Sequence, residues 1–218
     1  MQIFFRKTNR AFTRTPKFGV TPKGGGFTLV ETLVSVSIFS MSILGLLTIL
    51  SQGISDTGYA KKKIIASYLA QEGIEYIRNM RDTFVLFSAT SQAGWNAFNT
   101  KVAENTYPSG STLCASANGC YFDDRNVSFI DISMPITDLL LTLCTSSNCS
   151  NGPLLYDSAT GKYGYVASGT TTSSGFTRKI KIIQINANET KVFSTVYWTQ
   201  GSGTYNIVLA ENLFNWVE

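Results

Sequence analysis

Histidine is absent from the 218-residue chain. That removes the commonest metal ligand and general base, and with it Ser-His-Asp and Cys-His catalysis. Charge is also scarce, 15% of residues against 44% hydrophobic. That balance fits an exported or membrane-tethered chain better than a cytosolic one. Acidic residues are missing from residues 1–26, which hold Arg6, Lys7, Arg10, Arg14, Lys17 and Lys23. Without that segment 12 basic residues face 14 acidic ones, so the formal +4 belongs to the head segment. It makes no case for a nucleic-acid-binding body. Proline is absent from residue 23 to 107, so no ring interrupts a helix there. Cysteine is limited to Cys114, Cys120, Cys144 and Cys149. The spacings C-x5-C and C-x4-C match neither zinc ribbons nor thioredoxin-like motifs. An even number in an exported chain implies two disulfides, for which sequence allows three connectivities. The local pairs Cys114–Cys120 and Cys144–Cys149 are favoured because each brackets turn formers, "CASANGC" and "CTSSNC". Asp123, Asp124 and Asp131 lack EF-hand spacing, and no cofactor is implied.

What the chain does contain begins with an apolar run, Phe27–Leu50, of 24 residues with Glu31 as its only ionisable group. At 1.5 Å per residue the run spans ~36 Å, enough for a ~30 Å hydrocarbon core. A charged carboxylate at the bilayer centre costs ~2.5–3.5 kcal/mol on insertion scales, so Glu31 demands a reason. The run follows three glycines and no small-residue cleavage site closes it, unlike an ordinary secretory signal. Gly45, Ser35, Ser37, Ser40, Ser42 and Thr48 are compatible with close helix packing in lipid. Basic residues flank both ends, with Lys61, Lys62 and Lys63 beyond the far one. The positive-inside rule favours a cytoplasmic N-terminus, which places the cysteines outside. Lys61–Lys63 reads as a solvated or headgroup-facing run rather than a DNA-binding patch.

Beyond the apolar run, Ile65, Leu69, Ile77, Met80 and Phe84 recur on one helical face, and Arg78 and Asp82 are spaced for an i,i+4 pair. The pattern predicts one helix over 27–82, transmembrane over 27–50 and amphipathic afterwards. Residues 83–125 are polar and turn-rich, with Trp95 and Phe98 anchoring a short helix. The period then changes to two in "VSFIDIS" (127–133), "GKYGYVAS" (161–168), "FTRKIKIIQIN" (176–186), "TKVFSTVYWTQ" (190–200) and "TYNIVLAENLFNW" (204–216). These read as strands, with hairpin turns at "NANE" and "QGSG". The expected fold is α+β: a long N-terminal helix packed on a C-terminal antiparallel sheet whose sequential strands pair. The expected domains are a leader over 1–26, the helix over 27–82 and an extracytoplasmic head over 83–218. Arg178, Lys179 and Lys181 alternate along a strand and read as a solvated sheet face. Tyr197, Trp198, Phe214 and Trp216 read as core or sheet-edge packing.

A basic leader, glycine, "FTLVE", an apolar span and an amphipathic helix feeding a sheet together resemble a type IV prepilin. The motif places Gly26 before a peptidase cut, Phe27 after it, and Glu31 as the fifth mature residue. The continuation "SYLAQEGIEYIRNMRD", the strand "GFTRKIKI" and "YWTQGSGTYNIVLAENLFNW" look like minor pilins of the pilus-modification type. The chain departs from many pilins in lacking a proline near residue 48 and in its long leader. The physics of the motif stands beside the resemblance. Gly26 has no side chain, so a protease can hold its backbone closely. Cleavage frees an amine on Phe27, and Phe27 and Glu31, as i and i+4 of a helix, share a face. Glu31 also gains from the positive helix N-terminus.

The resemblance implies cleavage by prepilin peptidase, N-methylation at Phe27, and assembly through Glu31 with other pilin subunits and the inner-membrane pilus assembly machinery. It implies a single-pass protein of the bacterial cytoplasmic membrane that later reaches the cell surface in a pilus. Such a chain is no enzyme but the substrate of one. The alternatives are a pseudopilin of a type II secretion or DNA-uptake machine, and a signal-anchored extracellular binding protein or enzyme.

Overall fold

The computed structural model describes residues 26–103, 114–122 and 141–215. The chain divides into two compact units, Met1–Ser51 and Gln52–Glu218. One helix, α1 (Leu29–Leu86), runs through the boundary. It begins two residues later and ends four later than the sequence pattern predicts.

In the first unit the described residues are all exposed. In the second, the buried residues of α1 are Ala66, Leu69, Ala70, Gly73, Ile74, Tyr76, Ile77, Met80 and Phe84. Their steps of three and four define a single apolar stripe. Of the expected face, Leu69, Ile77, Met80 and Phe84 are buried and Ile65 is half-buried. Gly73 marks the closest approach to the sheet: a Cβ there would lie 2.9 Å from Ile180 Cδ1 and closer still to Ser194 Oγ. The expected pair of Arg78 with Asp82 is not what forms. Arg78 donates to Glu75 at 2.6 and 2.7 Å and to both Glu211 oxygens at 2.6 Å, while Asp82 pairs with Arg81 at 2.6 Å. Glu75, one turn earlier, and the sheet carboxylate Glu211 take the place of Asp82.

The short helix is α2 (Ser91–Ala103). Thr90 caps it, its carbonyl accepting from Gly94 and its hydroxyl from Ala93. Trp95 and Phe98 are buried as expected, and Trp95 Nε1 donates to the Ala187 carbonyl at 2.7 Å.

The described strands are β1 (Cys120–Tyr121), β2 (Thr142–Leu143), β3 (Pro153–Asp157), β4 (Tyr163–Gly164), β5 (Thr171–Asn186), β6 (Glu189–Gln200) and β7 (Gly203–Phe214). Strands β5, β6 and β7 form an antiparallel meander, with turns closed by Asn186 opposite Glu189 and Gln200 opposite Gly203. Sequential pairing, as expected, holds there and in the short pairs β1–β2 and β3–β4, but it is not the whole pattern. β5 also pairs with β3 over Thr171–Thr177 and with β1 at Ile180, β4 pairs with β3, and β2 with β1. "GKYGYVAS" supplies only the two residues of β4, and "VSFIDIS" lies outside the described residues.

Phe176, Arg178, Ile180 and Ile182 line the buried face of β5. They alternate with Thr177, Lys179 and Lys181, as the pleat requires. Arg178 therefore does not belong to a solvated face. It is 1% exposed, and its guanidinium donates to Glu72 at 2.8 Å and to the Leu69 carbonyl at 3.2 Å. It lies over the Phe122 ring at 4.3 Å, and that ring stacks on Tyr76 at 3.6 Å. Burial of the aliphatic neighbours drags the strand position inward, and α1 supplies the counter-ion. Trp198 is buried and Phe214 is 43% exposed; Trp216 lies outside the described residues.

Cys114 bonds Cys120, and Cys144 bonds Cys149. The first bridge is part of the core with Ile180, Ile182 and Phe122. The second closes a loop laid on the other face of the sheet, where the Ser147 carbonyl accepts from Lys179 Nζ at 2.7 Å and the Asn148 carbonyl from Thr177. The two loops meet where Cys144 N–H donates to the Gly119 carbonyl at 2.9 Å. Gly119 has φ of 74°, and a Cβ there would collide with the Ile180 carbonyl oxygen, so a side chain would not fit.

Candidate functional site

The start of α1 is built by Thr28. Its hydroxyl accepts from Glu31 N–H at 3.3 Å, and its carbonyl accepts from Glu31 and Thr32 N–H at 3.0 and 3.2 Å. This is an N-cap, and Glu31 sits three residues on, at the position where an acid faces the unpaired amides and the positive end of the helix. The pattern T-x-x-E was legible in "FTLVE" as a helix-start box, although the sequence reading missed Thr28. Phe27 precedes the cap, so the helical i,i+4 relation expected between Phe27 and Glu31 is not realised in this chain. Phe27 is 80% exposed, and an added side chain at Gly26 would meet nothing within 4 Å. The Gly26–Phe27 peptide is thus an accessible, non-helical bond directly ahead of a capped helix.

From Leu29 to Leu50 the apolar side chains are exposed, for example Leu29 79%, Met41 74% and Ile49 68%. The hydroxyls among them are satisfied internally. Ser35, Ser37, Ser40, Ser42 and Thr48 each donate to a carbonyl four residues earlier, at 2.7–3.1 Å. In hydrocarbon every polar group needs an internal partner, and these have one. The helix is long and apolar enough to cross a membrane. Glu31 is left as the one ionisable side chain in the run.

The expected cysteine pairs and the Glu31 segment lie in different units. The Lys61–Lys63 run is divided: Lys62 Nζ donates to the Thr199 carbonyl at 2.8 Å, while Lys61 and Lys63 are exposed. Among the described residues no group of three His, Cys, Asp or Glu could hold a metal ion; Asp123, Asp124 and Asp131 lie outside them. Two pKa shifts are structural in origin. Burial pushes the Tyr165 phenol up, with the positive Arg178 opposing. Asp157 is held below the usual carboxylate range by hydrogen bonds, first from the Thr170 hydroxyl, then from the Ala159 amide and the Thr160 hydroxyl. They close the exposed loop between β3 and β5.

Residues 22–47 match the family model described as the prokaryotic N-terminal methylation motif. The N-terminus is that of a type IV prepilin-like protein. No curated protein and no solved structure matches the chain significantly. The matched residues include Gly26, Phe27, Thr28 and Glu31 and most of the exposed apolar helix. A prepilin-like N-terminus implies processing by prepilin peptidase and assembly with other pilins, and with the apolar helix it fits a membrane-anchored protein.

Proposed function

We propose that the chain is a minor pilin, a subunit of a type IV pilus or related filament rather than an enzyme. Prepilin peptidase cuts between Gly26 and Phe27, and the freed Phe27 amine is methylated. The inner-membrane pilus assembly machinery then draws the apolar helix from the bilayer into a bundle of like helices at the cell surface. The observation that carries this reading is the pairing of a solvent-accessible Gly26–Phe27 bond with an unburied apolar helix whose single carboxylate stands at its third position. Among the described residues Glu31 has no cationic partner. The methylated amine of a neighbouring subunit supplies one, and an unpaired charge penalises every other axial register. The test is fractionation. Sheared surface filaments should contain the cleaved chain at a small ratio to the major subunit. Retention of the whole cellular pool in the membrane, uncleaved, would contradict the reading.

A further inference from the structure

Within Gln52–Glu218 the tip of the β6–β7 hairpin meets α1. The junction holds a cleft of about 320 Å³ lined by Ser55, Asp56, Tyr59, Gln200, Gly201 and Tyr205. That is the lower end of the ~300–1,000 Å³ of small-molecule sites. The cleft is built by the chain itself. Gln200 Nε2 donates to the Ser55 carbonyl at 2.9 Å and Lys62 Nζ to the Thr199 carbonyl at 2.8 Å, so hairpin and helix are clipped together. Tyr205 meets Tyr59 edge-on at 5.1 Å and stacks on Trp198 at 5.9 Å. Trp198 is buried and backs the Tyr205 ring, which is itself 39% exposed.

The polar groups of the cleft are unengaged. Among the described residues the Asp56 carboxylate and the Ser55 hydroxyl make no hydrogen bond or ion pair. Gln200 Oε1 is buried and receives no donor, a state that costs free energy. Tyr156 makes the contrast. It is 37% exposed and pairs with Tyr163 at 5.2 Å. The carboxylate beside it, Asp157, already accepts from the Thr170 and Thr160 hydroxyls at 2.7 and 2.9 Å and from the Ala159 amide at 3.0 Å. Of these two tyrosine pairs, the one in the cleft has a carboxylate to offer.

An exposed ring beside unengaged acceptors fits a ligand with one apolar face and a rim of hydroxyl donors. A pyranose is such a ligand. Its C–H bonds turn partial positive charge toward the negative face of an aromatic ring, and its hydroxyls donate to a carboxylate in charge-assisted hydrogen bonds. Charge argues for a neutral sugar. Asp56 repels an anion, while exposed Lys61 and Lys63, the latter with Nζ 6.0 Å from the Tyr59 ring, repel a cation.

We propose that this cleft binds a neutral pyranose, with Tyr205 as the stacking platform and Asp56 as the acceptor of its hydroxyls. The inference concerns Gln52–Glu218 alone and does not depend on the pilin reading. The test is saturation-transfer NMR on the full-length chain in a polyoxyethylene detergent, which carries no sugar headgroup. Glucose, galactose, mannose and N-acetylglucosamine are offered together. A ligand of ~12 heavy atoms should half-saturate such a site at roughly millimolar concentration, which the method detects. Ring C–H protons of at least one sugar should receive saturation. Asp56→Asn, an exposed change of the same shape, should cut the signal about tenfold. Tyr205→Ala should abolish it, and Tyr156→Ala should leave it unchanged. Transfer to none of these sugars, from a chain whose near-ultraviolet dichroism shows it folded, would overturn the proposal. Equal transfer in the wild type and Asp56→Asn would overturn it too, by placing the sugar elsewhere. Neither result alters the expectation of cleavage between Gly26 and Phe27.

Discussion

At the residue scale, two carboxylates on α1 have opposite reasons to be there. Glu31 stands in an apolar run with only a helix N-terminus to favour it. Replacing Glu31 with Leu removes a charge from lipid, so insertion stays normal, and cleavage persists because Gly26 is untouched. Assembly is where the loss appears, and Glu31→Gln, which keeps the shape, fails alongside Glu31→Leu if charge pairing is the cause. The ratio of sheared-filament to membrane-pool protein reads this directly. Incorporation of both variants at the wild-type ratio would remove the pairing account. Glu72 is different, because it neutralises a guanidinium that is 1% exposed. Losing one partner of a fully buried pair costs ~3–5 kcal/mol and an exposed pair is worth ~0–1 kcal/mol; Glu72 is itself 37% exposed, so its loss falls between the two. Glu72→Ala should lower the denaturation midpoint of the head more than Glu75→Ala, although both acids pair with arginine on or against the same helix. Equal midpoints would show that Phe122 and the Leu69 carbonyl hold Arg178 without Glu72. The parity of Arg178 was legible in the sequence, opposite Lys179 and Lys181. Which parity faced the helix was not, because that depends on where α1 lands.

At the scale of elements, the meander β5–β7 and the long helix announced themselves through period and turn chemistry. β3 did not. It opens on Pro153, which cannot donate to a ladder and is tolerated at a strand's first residue, and five residues carry too little alternation to read. Besides its neighbour β4 it pairs with β5, two strands on, and β1 adds to β5 as well as to its neighbour β2. Such pairings come from the disulfide loops and the core beneath them, not from local propensity. The helix–sheet contact makes a test of its own. Gly73→Ala gains ~1 kcal/mol of helix propensity, but its methyl must displace Ser194 and Ile180, and overpacking costs ~1–3 kcal/mol. Gly53→Ala gains the same propensity with nothing within 4 Å. Thermal melts should therefore place Gly73→Ala below the wild type and Gly53→Ala at or above it. A stabilised Gly73→Ala would mean that the helix stands off the sheet at that point.

At the scale of the whole molecule, the two units answer to different solvents. Gln52–Glu218 has its own core, two bridges and a buried arginine paired with a half-exposed glutamate. The apolar residues Leu29–Leu50 before it are exposed and have their hydroxyls satisfied internally, so they need lipid or like helices around them. Everything proposed here about assembly depends on one covalent event, scission between Gly26 and Phe27. The direct measurement is the intact mass and N-terminal sequence of the protein isolated from its own membranes and filaments. The account predicts a chain that begins at Phe27 and carries a methylated amine. A chain that begins at Met1, or at any residue other than Phe27, would contradict it.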